Sequence, residues 1–265
     1  MIKVCCGINV NHVALTWVSA LVWEKTMAKK GGIYEPKGRA LEYSPLACDL
    51  YKGCKHGCKY CYGASTESFD NMCETLAPIP NALEKLEADA KRLAGDPREI
   101  LFSFSSDPYF SEEAAVMTRE ALEICAKYGL KAQVLTKGGM KAARDFKFLK
   151  VCNFKFGSTI IFADEKLREE WEPNAPSIAD RIMAVKTAYD MGIYTWVSVE
   201  PVVDAESALD LINALKGYVN LWKIGKLNHF PEIEAAIDWK DYLKKVMILL
   251  KGERVNYKKD LINCI

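Results

Sequence analysis

The densest chemistry in the chain lies in the run Tyr51-Lys-Gly-Cys54-Lys-His-Gly-Cys58-Lys-Tyr-Cys61-Tyr-Gly63. Three thiols separated by three and then two residues can reach one centre, and Gly53, Gly57 and Gly63 let the backbone curl round it. If that centre is a four-iron, four-sulfur [4Fe-4S] cluster, three cysteines leave one iron without a protein ligand, open to a small molecule. The alternative is a structural zinc with His56, Cys48 or Cys73 as fourth ligand, although such zinc normally draws on two separated pairs and the chain has no second pair of that kind. Lys52, Lys55 and Lys59 bias the neighbourhood toward thiolate, or equally form a solvated face.

The rest of the composition narrows the setting. In 265 residues, 36 Lys and Arg face 35 Asp and Glu, so a net charge of +1 gives no global field for gripping polyanions, and any nucleic-acid contact is local. Ten cysteines in this length fall far short of a secreted disulfide scaffold, and their crowding predicts a metal site in a reducing, cytoplasmic compartment. The apolar run Val13 to Trp23 is too short to span a bilayer and makes a poor signal peptide, so no membrane role is expected. Residues 1–33 read as an N-terminal extension: a disordered tail, a docking segment or a misassigned start ahead of Met27.

The elements that must position the cysteines follow from periodicity. Short apolar runs predict strands at Leu46 to Tyr51, Ile100 to Ser105, Ala132 to Thr136, Phe154 to Phe162, Tyr194 to Val199 and Asn220 to Ile224. Amphipathic stretches between and after them predict helices at Asn81 to Leu93, Glu112 to Tyr128, Met140 to Leu149, Ile178 to Met191, Ala205 to Leu215 and Asp241 to Leu250, with Gly129, Gly192 and Gly217 as C-terminal caps. Six strand–helix units predict an α/β fold, a partial (β/α)6 TIM-type barrel over 34–235, with a C-terminal helix and tail over 236–265 packed on it. Chemistry in such folds collects at the strand C-terminal ends.

Cys54, Cys58 and Cys61 are similar to the radical S-adenosylmethionine signature. Gly-Cys-Lys-His-Gly-Cys-Lys-Tyr-Cys-Tyr resembles the branch that contains spore photoproduct lyase and the DNA repair photolyase-like proteins. Ser105-Ser-Asp107-Pro-Tyr109, Val134 to Lys137, Gly157-Ser158, Glu172 to Arg181, Ser198 to Pro201 and Lys223 to His229 fall where that branch has its later motifs. The resemblance implies a radical S-adenosylmethionine barrel and an enzyme, of lyase or other radical-modifying type. S-adenosylmethionine on the open iron would be cleaved to a 5′-deoxyadenosyl radical by an electron from an external reductant of flavodoxin or ferredoxin type. DNA or RNA is the implied target, for repair or modification.

The resemblance also assigns positions. Ser105 and Asp107 would meet the methionine part of the cofactor and Lys137 its carboxylate, with Ser158 near the ribose. Arg181, Glu200 and Asn228 would be further cofactor contacts, and Tyr60 and Tyr62 a hydrogen-transfer pair. Glu172 and His229 are added as substrate or adenosine contacts. Read alone, Ser-Ser-Asp-Pro is also an ordinary turn, Lys137 a solvated lysine before Gly138-Gly139, the tyrosines plain packing, and Arg181 a surface partner of Asp180 or Glu172. One departure stands out: spore photoproduct lyase has its hydrogen-donating cysteine just before the Ser-Asp of the second strand, where this chain has Ser103 and Phe104. Two other readings remain open, a radical enzyme acting on a peptide or small metabolite and a zinc-stabilised interaction module.

Overall fold

The computed structural model describes residues 32–61 and 76–264. The N-terminal extension as far as Gly31, Tyr62 and Cys73 lie outside the described residues.

Seven strands form one parallel sheet: β1 (Leu46–Ala47), β4 (Glu99–Phe102), β5 (Lys131–Thr136), β6 (Lys155–Thr159), β7 (Thr195–Val202), β8 (Leu221–Lys226) and β9 (Val255–Tyr257), adjacent in that order. The sheet curls into a half-barrel. A short antiparallel pair, β2 (Tyr51–Lys52) with β3 (Ala77–Pro78), stands apart from it. The helices are α1 (Ala82–Arg92), α2 (Glu112–Lys127), α3 (Phe146–Val151), α4 (Glu165–Trp171), α5 (Ile178–Asp190), α6 (Ala205–Leu215), α7 (Pro231–Ala236), α8 (Trp239–Leu249) and α9 (Lys259–Ile262). Side-chain oxygens of Ser111, Asp164, Ser177, Asp204 and Asp238 cap α2, α4, α5, α6 and α8 by accepting from first-turn amides. No helix among the described residues is long and apolar enough to cross a membrane.

The six predicted strands are present, with shifted limits, and a seventh closes the sheet. The first predicted strand is cut short: only Leu46–Ala47 enters the sheet, and Tyr51–Lys52 turns off to pair with Ala77–Pro78. Met140 to Leu149 is not one helix. A 3-10 turn over Gly139–Asp145 precedes α3, because Gly139 adopts a left-handed φ of 59° and delays the α geometry. The C-terminal tail holds strand β9, too short and too polar to announce itself by pattern, yet in register with Trp222 to Ile224.

The two faces of the sheet differ. Ile100, Phe102, Val134, Phe156, Val197, Val199, Trp222 and Ile224 are fully buried on the helix side, where Phe156 meets Phe146 of α3 edge-on at 4.9 Å. The alternating positions line the concave side: Glu99, Gln133, Lys155, Trp196, Ser198, Glu200 and Lys223. Gln133 donates to Glu99, Lys155 pairs with Glu99, and Lys223 lies 4.2 Å from the Trp196 ring. Gly157 makes room for that indole, since a Cβ there would sit 2.2 Å from Trp196 Cε2. Gly157→Val should therefore destabilise the fold by about 1–3 kcal/mol, through overpacking with no change of polarity. A shifted denaturation midpoint with native-like circular dichroism checks this.

Candidate active site at the mouth of the half-barrel

The cysteine loop follows β2 at the C-terminal end of the sheet. Gly53 and Gly57 take left-handed φ values of 79° and 63°, which only glycine adopts freely, and turn the chain so that Cys54 and Cys58 share one hollow. The loop is tied down by its backbone: Cys61 N donates to Cys58 O at 3.0 Å, Lys59 N to Trp171 O at 2.9 Å and Asn174 N to His56 O at 3.2 Å. Cys58 is buried, and Cys54 and Cys61 are half-buried. Burial pushes the Cys58 thiol up to about 12 against the opposing pull of the Lys137 ammonium, and raises Cys54 as well.

Asp107 organises the surrounding strand ends. Its Oδ1 accepts from the Thr136 hydroxyl at 2.6 Å and Tyr109 N at 2.8 Å, and its Oδ2 accepts from Lys137 N at 2.6 Å and faces His56 Nε2 at 3.2 Å. Burial alone would raise this carboxyl, but His56 and these hydrogen bonds outweigh it and hold Asp107 at about 2. Asp49 does similar work beside it, accepting from Phe104 N at 2.7 Å, Ser105 N at 2.8 Å and the Tyr34 hydroxyl at 2.5 Å.

A second buried group stands behind the thiols. Arg181 of α5 and Glu172, both fully buried, pair at 2.5 Å. Arg181 also donates to Pro176 O at 2.9 Å and Thr159 O at 3.2 Å, while its Nη2 has no hydrogen-bond partner among the described residues. The Tyr60 hydroxyl donates to the other Glu172 oxygen, and the Tyr60 ring stacks on Trp171. Lys137 Nζ lies 5.4 Å over the Tyr60 ring. Burial would lower the Lys137 ammonium, but the neighbouring Cys58 and Glu172 outweigh it and raise it.

Of the sequence-predicted positions, Cys54, Cys58, Cys61, Tyr60, Asp107, Lys137, Glu172 and Arg181 come together here. Arg181 is not on the surface: its partner is Glu172, in the interior. Asp107, expected to meet a cofactor ammonium, has both oxygens engaged by the protein. Ser105 is at the mouth, with its hydroxyl donating to Tyr51 O at 3.0 Å. Ser158 shares the helix-side face with Phe156 and donates to Thr136 O at 3.3 Å, whereas Gly157 is the residue of that motif facing the concave side. Glu200 lies on the concave face with Arg39 and Tyr43, while Asn228 donates to Lys226 O and His229 is exposed at a left-handed turn. Sequence reading missed Asp49, Tyr43 and the His56–Asp107 contact. A carboxylate following an apolar strand was the available signal for Asp49; nothing in the pattern announced the other two.

Three cysteine sulfurs on one loop are the donor set on which a cluster would draw. Among the described residues no three His, Cys, Asp or Glu side chains converge as ligands of one metal, and His56, the suggested fourth zinc ligand, points its Nε2 at Asp107. Thiolates on a cluster each hold a different iron and need not converge. Cys48 is buried in the core beside Cys125 and takes no part.

No family model matches the chain. An uncharacterised protein of Methanocaldococcus jannaschii is 28% identical over 199 residues, covering 74% of this chain and 73% of that one. A cysteine-to-alanine variant of spore photoproduct lyase, also solved with dinucleoside spore photoproduct, superposes with a TM-score of 0.64 at 13% identity over 86% of this chain and 80% of the lyase. SuiB of Streptococcus suis, bound to S-adenosylmethionine, gives 0.57 at 13% identity over 82% of this chain and 51% of SuiB. Both are radical S-adenosylmethionine enzymes. The likeness to them at these identities is one of fold.

Two outcomes follow from the buried charges. Arg181→Met should cost about 3–5 kcal/mol by stranding Glu172, and Glu172→Gln/Arg181→Met should recover part of it in a double-mutant cycle. Because the folded-state pKa of Asp107 lies below its ordinary 3.8, its contribution is complete above that value and is lost as pH falls toward 2. Denaturation at stepped pH should show roughly 2 kcal/mol lost across this window in the wild type and absent from Asp107→Asn.

Proposed function

We propose that this chain is a radical S-adenosylmethionine enzyme that abstracts hydrogen from its substrate. One observation carries the proposal: Cys54, Cys58 and Cys61 sit on one glycine-turned loop at the mouth of a half-barrel of this fold, beside the cation of Lys137. When bound, a four-iron cluster supplies an open iron for the amino and carboxylate groups of S-adenosylmethionine and the electron that cleaves its sulfonium C–S bond to the 5′-deoxyadenosyl radical.

The chain's own residues do the positioning. Cys54, Cys58 and Cys61 would hold the cluster as thiolates, since metal binding removes thiol protons, including those that burial otherwise keeps on Cys54 and Cys58. Lys137, raised on the Tyr60 ring, offers its ammonium to the cofactor carboxylate. Ser105 Oγ has lone pairs for the ammonium, while Asp107 fixes the amide of Lys137 and the cysteine loop instead of touching the cofactor. Tyr60 reaches Glu172 and through it Arg181, which gives a hydroxyl beside the cluster loop a defined orientation. Tyr62, Glu200 and Asn228 remain assigned by resemblance, as does the external one-electron reductant.

The proposed target is a nucleic acid or nucleotide, as in the lyase. A second reading is a peptide or small metabolite. Arg39 is paired with Glu200 and Asp260, Lys245 with Glu206 and Asp241, and Lys258 is buried, so these three are not free to meet a phosphate backbone.

Anaerobic reconstitution with iron, sulfide, dithionite and S-adenosylmethionine, with and without damaged DNA, tests the reading through 5′-deoxyadenosine release. Cys58→Ala should lose both iron and cleavage. Lys137→Ala should keep its iron and bind the cofactor about tenfold or more weakly, the loss of a charge-assisted hydrogen bond. A wild type with a full cluster that releases no 5′-deoxyadenosine overturns the proposal.

A further inference from the structure

The concave face of the sheet is lined with polar groups, unlike the layers of branched apolar side chains that fill a closed barrel. The segment Lys37 to Ser44 crosses its open side, with a 3-10 turn at Gly38–Glu42 that buries none of its own residues. Polar contacts hold the segment in place. Arg39 pairs with Glu200 and Asp260, Asn256 donates to Glu42 O, and the Tyr43 hydroxyl donates to Glu200 at 2.5 Å.

Two lysines are buried beneath this strap. Lys258, directly after β9, is 3% exposed, and Lys223, in β8, is 4% exposed. Among the described residues Lys258 Nζ has no hydrogen-bond acceptor within reach: it meets the face of the Tyr43 ring at 3.4 Å and pairs with a Glu200 oxygen at the long distance of 3.7 Å. Lys223 Nζ donates to Tyr43 O at 2.7 Å and lies over the Trp196 ring. An ammonium carries three donors, so most of those on the two lysines meet no acceptor among the described residues. Burying ammonium groups this way is costly, and burial lowers Lys258 against the pull of Glu200. Burial and the neighbouring charge of Lys258 also push Lys223 down to about 7, which an arriving anion would reverse. A cavity of about 470 Å³ lies beside the strap, lined by Gly38, Arg39, Leu41, Glu42, Lys259 and Asp260, and shares Arg39 with the group of residues around the lysines.

We propose that Lys258 and Lys223, with Arg39 at the rim, form a binding site for an anionic group, a phosphate or a carboxylate, of the molecule on which the chain acts. The anion would accept from both ammonium groups where the Tyr43 ring now covers them, and Trp196 would floor the site. The site lies on the β7–β9 side of the concave face. Its use in turnover rests on the radical-enzyme reading; the anion site itself does not.

Isothermal titration of the full chain with inorganic phosphate and with acetate tests the site. The wild type should bind at least one of them. Lys258→Met and Lys223→Met should each bind about tenfold or more weakly, while Lys240→Met, on an exposed residue, should bind as the wild type does. The thermal midpoint of Lys258→Met should equal or exceed that of the wild type, because a methionine in the same space removes a buried, weakly paired ammonium while Glu200 keeps Arg39 and the Tyr43 hydroxyl as partners; a purely structural lysine would give a lower midpoint. Tighter phosphate binding indicates a phosphorylated ligand, and tighter acetate binding a carboxylate. The proposal is overturned if neither probe binds, or if both methionine variants bind like the wild type. A chain that binds phosphate through Lys258 yet releases no 5′-deoxyadenosine keeps this site and loses the radical chemistry, and the opposite pair of results does the reverse.

Discussion

The mouth of the half-barrel depends on one buried carboxylate. Asp107 binds the turn after β5 through Lys137 N and the Thr136 hydroxyl, its own loop through Tyr109 N, and the cysteine loop through His56. A carboxylate can be buried only where donors already surround it, and those backbone donors would be equally unsatisfied without it. Three chain segments distant in sequence therefore assemble together or not at all. Asp49 repeats the arrangement for Phe104 and Ser105. The result is a rigid rim on which the positions of three thiols and one lysine are set before any ligand arrives, as a preorganised site requires.

The electrostatics of the thiols follow from that rim. Lys137 and Arg181 approach Cys58 from the positive side and Glu172 from the negative, and burial leaves the thiol protonated. Protein charge alone does not generate a reactive thiolate here, which separates this loop from a nucleophilic-cysteine site, where the thiol is pulled down instead. A metal's charge would strip the protons that burial keeps on Cys54 and Cys58.

Much of this was legible in the sequence because it is written in local chemistry. The cysteine spacing, the glycines with positive φ and the strand–helix alternation are decided by residues close together in the chain. What was not legible depends on the curl of the sheet. Whether a strand residue faces the helices or the concave side is a matter of register, which puts Ser158 on the helix side and Gly157 on the concave side. Nothing local to Lys223, between Trp222 and Ile224, shows that Trp196 and Tyr43, far off in sequence, close over it. Strand β9 carries too few residues to show a period, and its partner β8 supplies the order it lacks.

The alternation of Thr195-Trp-Val-Ser-Val-Glu200 now has a physical meaning. A parallel sheet covered on both faces reads as nearly continuous apolar sequence. A strand that alternates has one face reserved for something other than packing, and here that face carries Ser198, Glu200 and the two lysines behind Tyr43. The departure at Ser103 and Phe104 belongs to the same argument. At that strand end Ser103 donates its hydroxyl to Ser106 O, and neither Ser103 nor Phe104 carries a thiol. Among the described residues outside the cluster loop, Cys48 and Cys125 are core, Cys152 is on the last turn of the α3 segment, and Cys264 follows α9. None stands at the mouth. The fold of the lyase is therefore retained without its thiol at that position, while the concave wall carries cations, so the chemistry that distinguishes this chain is to be sought in what those cations bind.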